Sequence, residues 1–116
     1  TTAAPLAFVQ VASATPQTDQ STVTVTYANA QSAGDTNILV IGWSYTSATI
    51  TSVTDSAGNV YQLAVATATG TANSQAIYYA KNINASAAGT NTITVRLSTP
   101  ATYVDLRALE YAASIP

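Results

Sequence analysis

The chain has 116 residues, enough for one hydrophobic core and too few for two. Only 7% of them are charged and the net charge is -2, so the chain cannot neutralise a run of phosphates, and nucleic acid is not an expected partner. Cys, Met and His are all absent, which removes disulfides, thiolate nucleophiles, imidazole bases and the commonest soft-metal ligands together.

Apolar and β-branched residues alternate with Thr, Ser and Gln, and the pattern breaks at Gly, Asn, Asp and Pro, which predicts strands and no helix. The alternation places eight strands at 6–13, 21–28, 36–45, 48–54, 59–67, 73–82, 90–98 and 101–112. In the second, Val23, Val25 and Tyr27 face one way and Thr22, Thr24 and Thr26 the other, as in a strand wet on one side. The third differs, because Ile38, Leu39, Val40 and Ile41 are apolar on both faces; this predicts a central strand covered twice, or one that lies in an interface.

Between the fourth and fifth strands, Asp55-Ser56-Ala57-Gly58-Asn59 carries the strongest turn signal: Asp can cap the turn amides and Gly supplies a positive φ. A hairpin is expected there. Further breaks fall at Ala33-Gly34-Asp35, Gly70-Thr71-Ala72-Asn73, Ala88-Gly89-Thr90-Asn91 and Thr99-Pro100. In the seventh strand Ile93, Val95 and Leu97 alternate with Thr92, Thr94 and Arg96, so Arg96 is expected on a solvated face. In the eighth, Tyr103, Asp105, Arg107, Leu109 and Tyr111 share one face, while Glu110 shares the other with Val104, Leu106 and Ala108. A carboxylate buried in that row needs a cation or donors, and Lys81 or Arg107 are the expected suppliers. The spacing of short strands predicts an all-β fold, an antiparallel two-sheet sandwich of jelly-roll type, with residues 1–116 forming a single module.

Ser52-Val53-Thr54-Asp55-Ser56-Ala57-Gly58-Asn59-Val60-Tyr61, Ile77-Tyr78-Tyr79-Ala80-Lys81-Asn82, Gly89-Thr90-Asn91-Thr92-Ile93-Thr94-Val95 and Leu109-Glu110-Tyr111 together resemble β-sandwich modules repeated in large exported bacterial proteins. The likeness spans about the last two-thirds of the chain. It implies an extracellular or cell-surface location beside other sandwich repeats, adhesin-like regions or carbohydrate-active domains, and it carries over no catalytic residue. The Thr-rich strands, poor in charge, also resemble exported bacterial proteins in composition. There is no charged-then-apolar leader and no apolar run long enough to span a membrane, so the chain is expected to be a mature fragment or excised module whose ends join neighbours.

Candidate sites are few. Trp43 and Tyr45, on the parity of Leu39 and Ile41, and one of Tyr78 and Tyr79, which point to opposite faces, could offer rings to a polysaccharide or cell-surface glycan; Tyr79 is taken as that ring. The opposing reading puts Trp43 in the core, with Tyr27 and Tyr61 also facing inward. Asp55, Asn59 and the carbonyls near Gly58 could hold calcium, although a capped turn explains both residues without a metal, and no cofactor is expected otherwise. Lys81 with Glu110 and an Asn is the one set that could form an isopeptide crosslink. Asn84-Ala85-Ser86 matches an N-glycan acceptor and is taken as chance. Five acids and no His leave no nucleophile–base pair, so the chain is not expected to be an enzyme. The expected role is a structural or adhesive module. The alternatives are a carbohydrate-binding module that targets an attached enzyme, and a self-associating subunit whose strand edges lack guarding charges.

Overall fold

The computed structural model describes residues 6–44, 47–71 and 73–113. The predicted alternation is realised as eight strands: β1 (Ala7–Ala14), β2 (Gln20–Thr26), β3 (Thr36–Trp43), β4 (Ile50–Asp55), β5 (Gln62–Thr69), β6 (Ser74–Ala80), β7 (Thr92–Ala101) and β8 (Asp105–Ala112). They form a five-stranded sheet in the order β1-β8-β3-β6-β5 and a three-stranded sheet in the order β2-β7-β4. Every pairing is antiparallel. The pairs β1 with β8, β2 with β7 and β3 with β6 are those of a long hairpin rolled into a jelly roll. No helix among the described residues is long and apolar enough to cross a membrane.

The innermost pair of such a roll, β4 with β5, is not formed: β4 pairs with β7 and β5 with β6. The predicted turn is present, with Gly58 at φ 78° and its amide donating to the Asp55 carbonyl at 3.3 Å. The expected hairpin is not, because the turn is fastened elsewhere. Ser56 N donates to the Thr92 carbonyl at 3.0 Å and Ala57 N to Asn91 Oδ1 at 3.2 Å, so the turn closes onto β7 and the chain leaves it for the other sheet. The β5–β6 connection does turn tightly, with Gly70 N donating to Asn73 O at 2.7 Å.

The core lies between the sheets. Val23, Val25, Ile93, Val95 and Leu97 face inward from the smaller sheet, and Leu39, Ile41, Trp43, Leu106 and Ala108 from the larger. Each large aliphatic side chain fully buried this way contributes about 1.5–3 kcal/mol relative to exposure. The wet faces of β2 and β7 also follow the alternation: Thr22, Thr24 and Thr26 are exposed, as is Arg96.

Strand β3 is central, flanked by β8 and β6, but it is not covered twice. Its inner residues Leu39 and Ile41 are fully buried, whereas Ile38 is half-buried and Val40 is 39% exposed, because among the described residues no second layer meets the outer face of the larger sheet. Much of that face is apolar. One cross-strand row runs Val11, Leu109, Ile38, Tyr79; a second runs Arg107, Val40, Ile77, Val65. The rings of Phe8 and Tyr111 meet edge to face at 5.9 Å on the same side.

The seventh and eighth strands meet differently from the expected break at Thr99-Pro100. Pro100 lies inside β7, beyond the last residue paired with β4 and next to Ala101, which pairs with Gln20 of β2 across an irregular stretch where proline is tolerated. The turn falls instead at Thr102–Val104, and β8 starts at Asp105, so Tyr103 drops out of the row expected to hold Asp105, Arg107, Leu109 and Tyr111.

Candidate functional site

One end of the sandwich is closed by polar side chains. Gln31 Nε2 donates to Asn37 Oδ1 at 2.8 Å, Asn37 Nδ2 to Tyr61 Oη at 3.1 Å, and Tyr61 Oη to Asp55 Oδ2 at 2.8 Å. Asn91 Nδ2 completes the circuit by donating to Asp55 Oδ2 at 3.2 Å and to Gln31 Oε1 at 2.7 Å. Asn37 comes from β3 in the larger sheet, Asp55 from β4 in the smaller, and Asn91 directly precedes β7, so the ring of bonds ties the two sheets together. Burial, followed by the charge of Asp55, pushes the Tyr61 hydroxyl well above its ordinary value and holds it as a neutral donor.

Glu110 lies beside this ring, fully buried on the inward parity of Leu106 and Ala108 as its sequence position predicts. Its partners are not the predicted cations. Oε1 accepts from Gln10 Nε2 at 2.8 Å, while Oε2 is buried with no hydrogen-bond partner among the described residues. Burial first, and then Asp35, push the Glu110 carboxyl above the usual range, partly opposed by the amides of Gln10 and Gln31. A protonated carboxyl tolerates that dry position better than a carboxylate would. Arg107 instead forms a two-pronged pair with Asp105 on the outer face, Nε to Oδ1 at 2.9 Å and Nη2 to Oδ2 at 3.2 Å. Lys81 is exposed and makes no bond to Glu110 among the described residues, so the crosslinking set is not assembled.

The remaining predicted site residues separate. Trp43 is 2% exposed and donates its indole N–H to the Ala48 carbonyl at 3.0 Å; it is a core residue, and its ring is closed to a sugar. Tyr45 lies outside the described residues. Tyr79 is half-buried, with Oη donating to Gln62 Oε1 at 2.9 Å, and shares a depression of about 380 Å³ with Asn59, Lys81 and Asn84. Asp55 and Asn59 do come together, but on each other: Asn59 N donates to Asp55 Oδ1 at 2.9 Å and Asn59 Nδ2 to Oδ2 at 2.8 Å. With Tyr61 and Asn91 also donating, the Asp55 carboxylate holds four protein donors, and calcium would have to displace them. No group of three or more Asp, Glu, His or Cys is placed to hold a metal among the described residues. Asn84 is equally engaged: Nδ2 donates to the Ala57 carbonyl at 2.9 Å and its backbone N–H to Asn59 Oδ1 at 2.8 Å.

A larger depression, about 550 Å³, lies where the end of β3 meets the β5–β6 hairpin and the β7–β8 turn. Its lining includes Ser44, Thr69, Asn73, Gln75 and Tyr103. Tyr103 is 60% exposed at φ 51°, a left-handed conformation that costs a non-glycine residue about 1–2 kcal/mol. The surroundings impose it. Ala101 and Val104 are buried on either side, Thr102 Oγ1 donates to Asp19 Oδ1 at 2.8 Å, and the Thr102 carbonyl accepts from Ser44 N at 2.9 Å. The sequence pattern had assigned Tyr103 to a strand, and nothing in its alternation marks the left-handed turn.

Comparison of the chain with protein-family models, curated proteins and solved structures finds no match.

Proposed function

We propose that this chain is a non-catalytic structural or adhesive module of an exported bacterial protein. The observation that carries this reading is that each of the five acids is already bonded to other groups of the protein or buried among them. Asp19 anchors Thr102, Asp35 accepts from Ala113 N at 3.3 Å, Asp55 holds the turn, Asp105 pairs with Arg107, and Glu110 is sealed between the sheets. General acid–base chemistry needs such groups free in a cleft, within reach of a substrate. The sparsely charged sequence and the resemblance to exported sandwich repeats support the location. The test is to incubate the isolated module with common polysaccharides and proteins: no product should form, and turnover that disappears in Glu110→Gln would overturn the reading.

A second reading, self-association, is favoured by the uncovered outer face of the larger sheet. Five strands spaced ~4.8 Å apart, with about seven residues each at ~3.3 Å, present a footprint of roughly 550 Å². A standard stable interface covers ~800 Å² per partner, so an associating copy would cover essentially the whole of this face. The occupant this face suits is a second copy of the chain. Arg107 and Asp105 sit side by side on it, so a copy related by a two-fold axis can exchange the pair crosswise.

A further inference from the structure

We infer that the depression beneath Tyr103 is a binding site for a short neutral oligosaccharide. The inference goes beyond the structural role. A glycan site needs an aromatic face for the C–H side of a pyranose ring, hydroxyls and amides for its equatorial oxygens, and room for more than one ring. The depression of about 550 Å³ supplies all three, within the roughly 300–1,000 Å³ of small-molecule sites.

The aromatic element is Tyr103, and its manner of presentation separates it from an ordinary surface ring. Its neighbours in sequence are buried or bonded, and its backbone is held left-handed, so the ring projects from a fixed turn. Fixing the contact surface before binding reduces the ordering cost of association. The polar elements are Ser44, whose hydroxyl donates to Asn73 Oδ1 at 2.9 Å, with Thr69, Asn73 and the exposed amide of Gln75. No Asp, Glu, Lys or Arg lines the depression among the described residues, which disfavours uronic, sulfated or phosphorylated ligands and selects an uncharged one. The Tyr79 depression differs in this respect, because Lys81 lines it.

The test uses the intact module in affinity electrophoresis through gels containing xylan, mixed-linkage β-glucan or galactomannan, with heparin as the charged comparison. Calorimetry with xylohexaose and cellohexaose supplies affinities. The module should be retarded by at least one neutral polymer and not by heparin. Tyr103→Gly removes the ring from a backbone that glycine adopts readily, so the variant should remain folded by circular dichroism and melt no lower, yet bind about tenfold or more weakly. Tyr103→Phe should bind nearly as well, Gln75→Ala should weaken binding with the ring in place, and Tyr79→Ala should leave it unchanged. Absence of retardation on every neutral polymer, full binding by a folded Tyr103→Gly protein, or loss of binding in Tyr79→Ala alone would each overturn the assignment.

Discussion

Gln31 and Asn91 are sixty residues apart in the chain, yet Asn91 Nδ2 donates to Gln31 Oε1 at 2.7 Å inside the protein. Both are buried, and both have further partners in the same ring: Gln31 bonds to Asn37, and Asn91 bonds to Asp55 and, through Oδ1, to Ala57 N. Removing one member therefore strands several buried groups. Asn91→Ala should destabilise the fold by about 2–4 kcal/mol, with urea unfolding as the measurement. A cycle of Gln31→Ala, Asn91→Ala and the double variant should show a coupling of about 1–3 kcal/mol. Additive losses would mean that the ring is an incidental set of pairs.

The Asp55 turn should behave as a turn and not as an ion site. Gly58→Ala places a Cβ in open space but at φ 78°, so its cost is purely conformational, about 1–2 kcal/mol. Added calcium should leave the melting temperature unchanged, and Asp55→Ala should destabilise equally with and without it. A melting point that climbs with calcium in the parent protein and not in Asp55→Ala would restore the metal reading.

Glu110 makes a prediction about pH. Its folded carboxyl titrates above its unfolded value, so between the two values the folded protein binds the extra proton. The stabilising contribution is fully present below about pH 4.3, the ordinary unfolded value, and is lost as pH rises through the raised folded one. Glu110→Gln keeps an acceptor for Gln10 and removes the charge. The stability of the variant relative to the parent should therefore improve with rising pH across that window and level off above it. A difference that stays flat with pH would show that Glu110 remains ionised in the fold.

The outer face of the larger sheet makes a prediction about assembly. Light scattering over a range of concentrations should show a dimer that dissociates on dilution. Val40→Lys puts a charge at the centre of that face, on a side chain already 39% exposed, and should yield a folded monomer. An unaltered chain that stays monomeric at every concentration would remove the second reading.

Much of this architecture was legible because period-two patterning reports burial directly. Val23, Val25 and Tyr27, or Ile93, Val95 and Leu97, can only face a common interior. The same parity carries a signal that apolar counting overlooks: Gln10, Asn37 and Asn91 share the inward rows of Ala12, Leu39 and Ile93, and all three are among the polar residues found buried. Turn chemistry was legible only locally. Asp55 and Gly58 specify a change of direction, but which strand the chain joins next depends on Thr92 and Asn91, which accept the turn's amides from far along the chain. Trp43 follows its strand parity into the core, whereas Tyr103 obeys a conformation imposed by buried neighbours and bonds to Asp19 and Ser44. No short-range pattern encodes those contacts.

The position of β8 bears on how the molecule comes to exist. The last strand of the chain lies between β1 and β3, so the larger sheet has a gap at that place until residues 105–112 arrive. Its first and last members meet only when Gln10 finds Glu110. Such distant closures carry a large entropic toll before any contact rewards them, which puts assembly on the slow, millisecond-to-second side of domain kinetics. A nascent chain ending short of Asp105 would lack the strand that joins β1 to the rest of its sheet, leaving that sheet pliable until β8 has emerged.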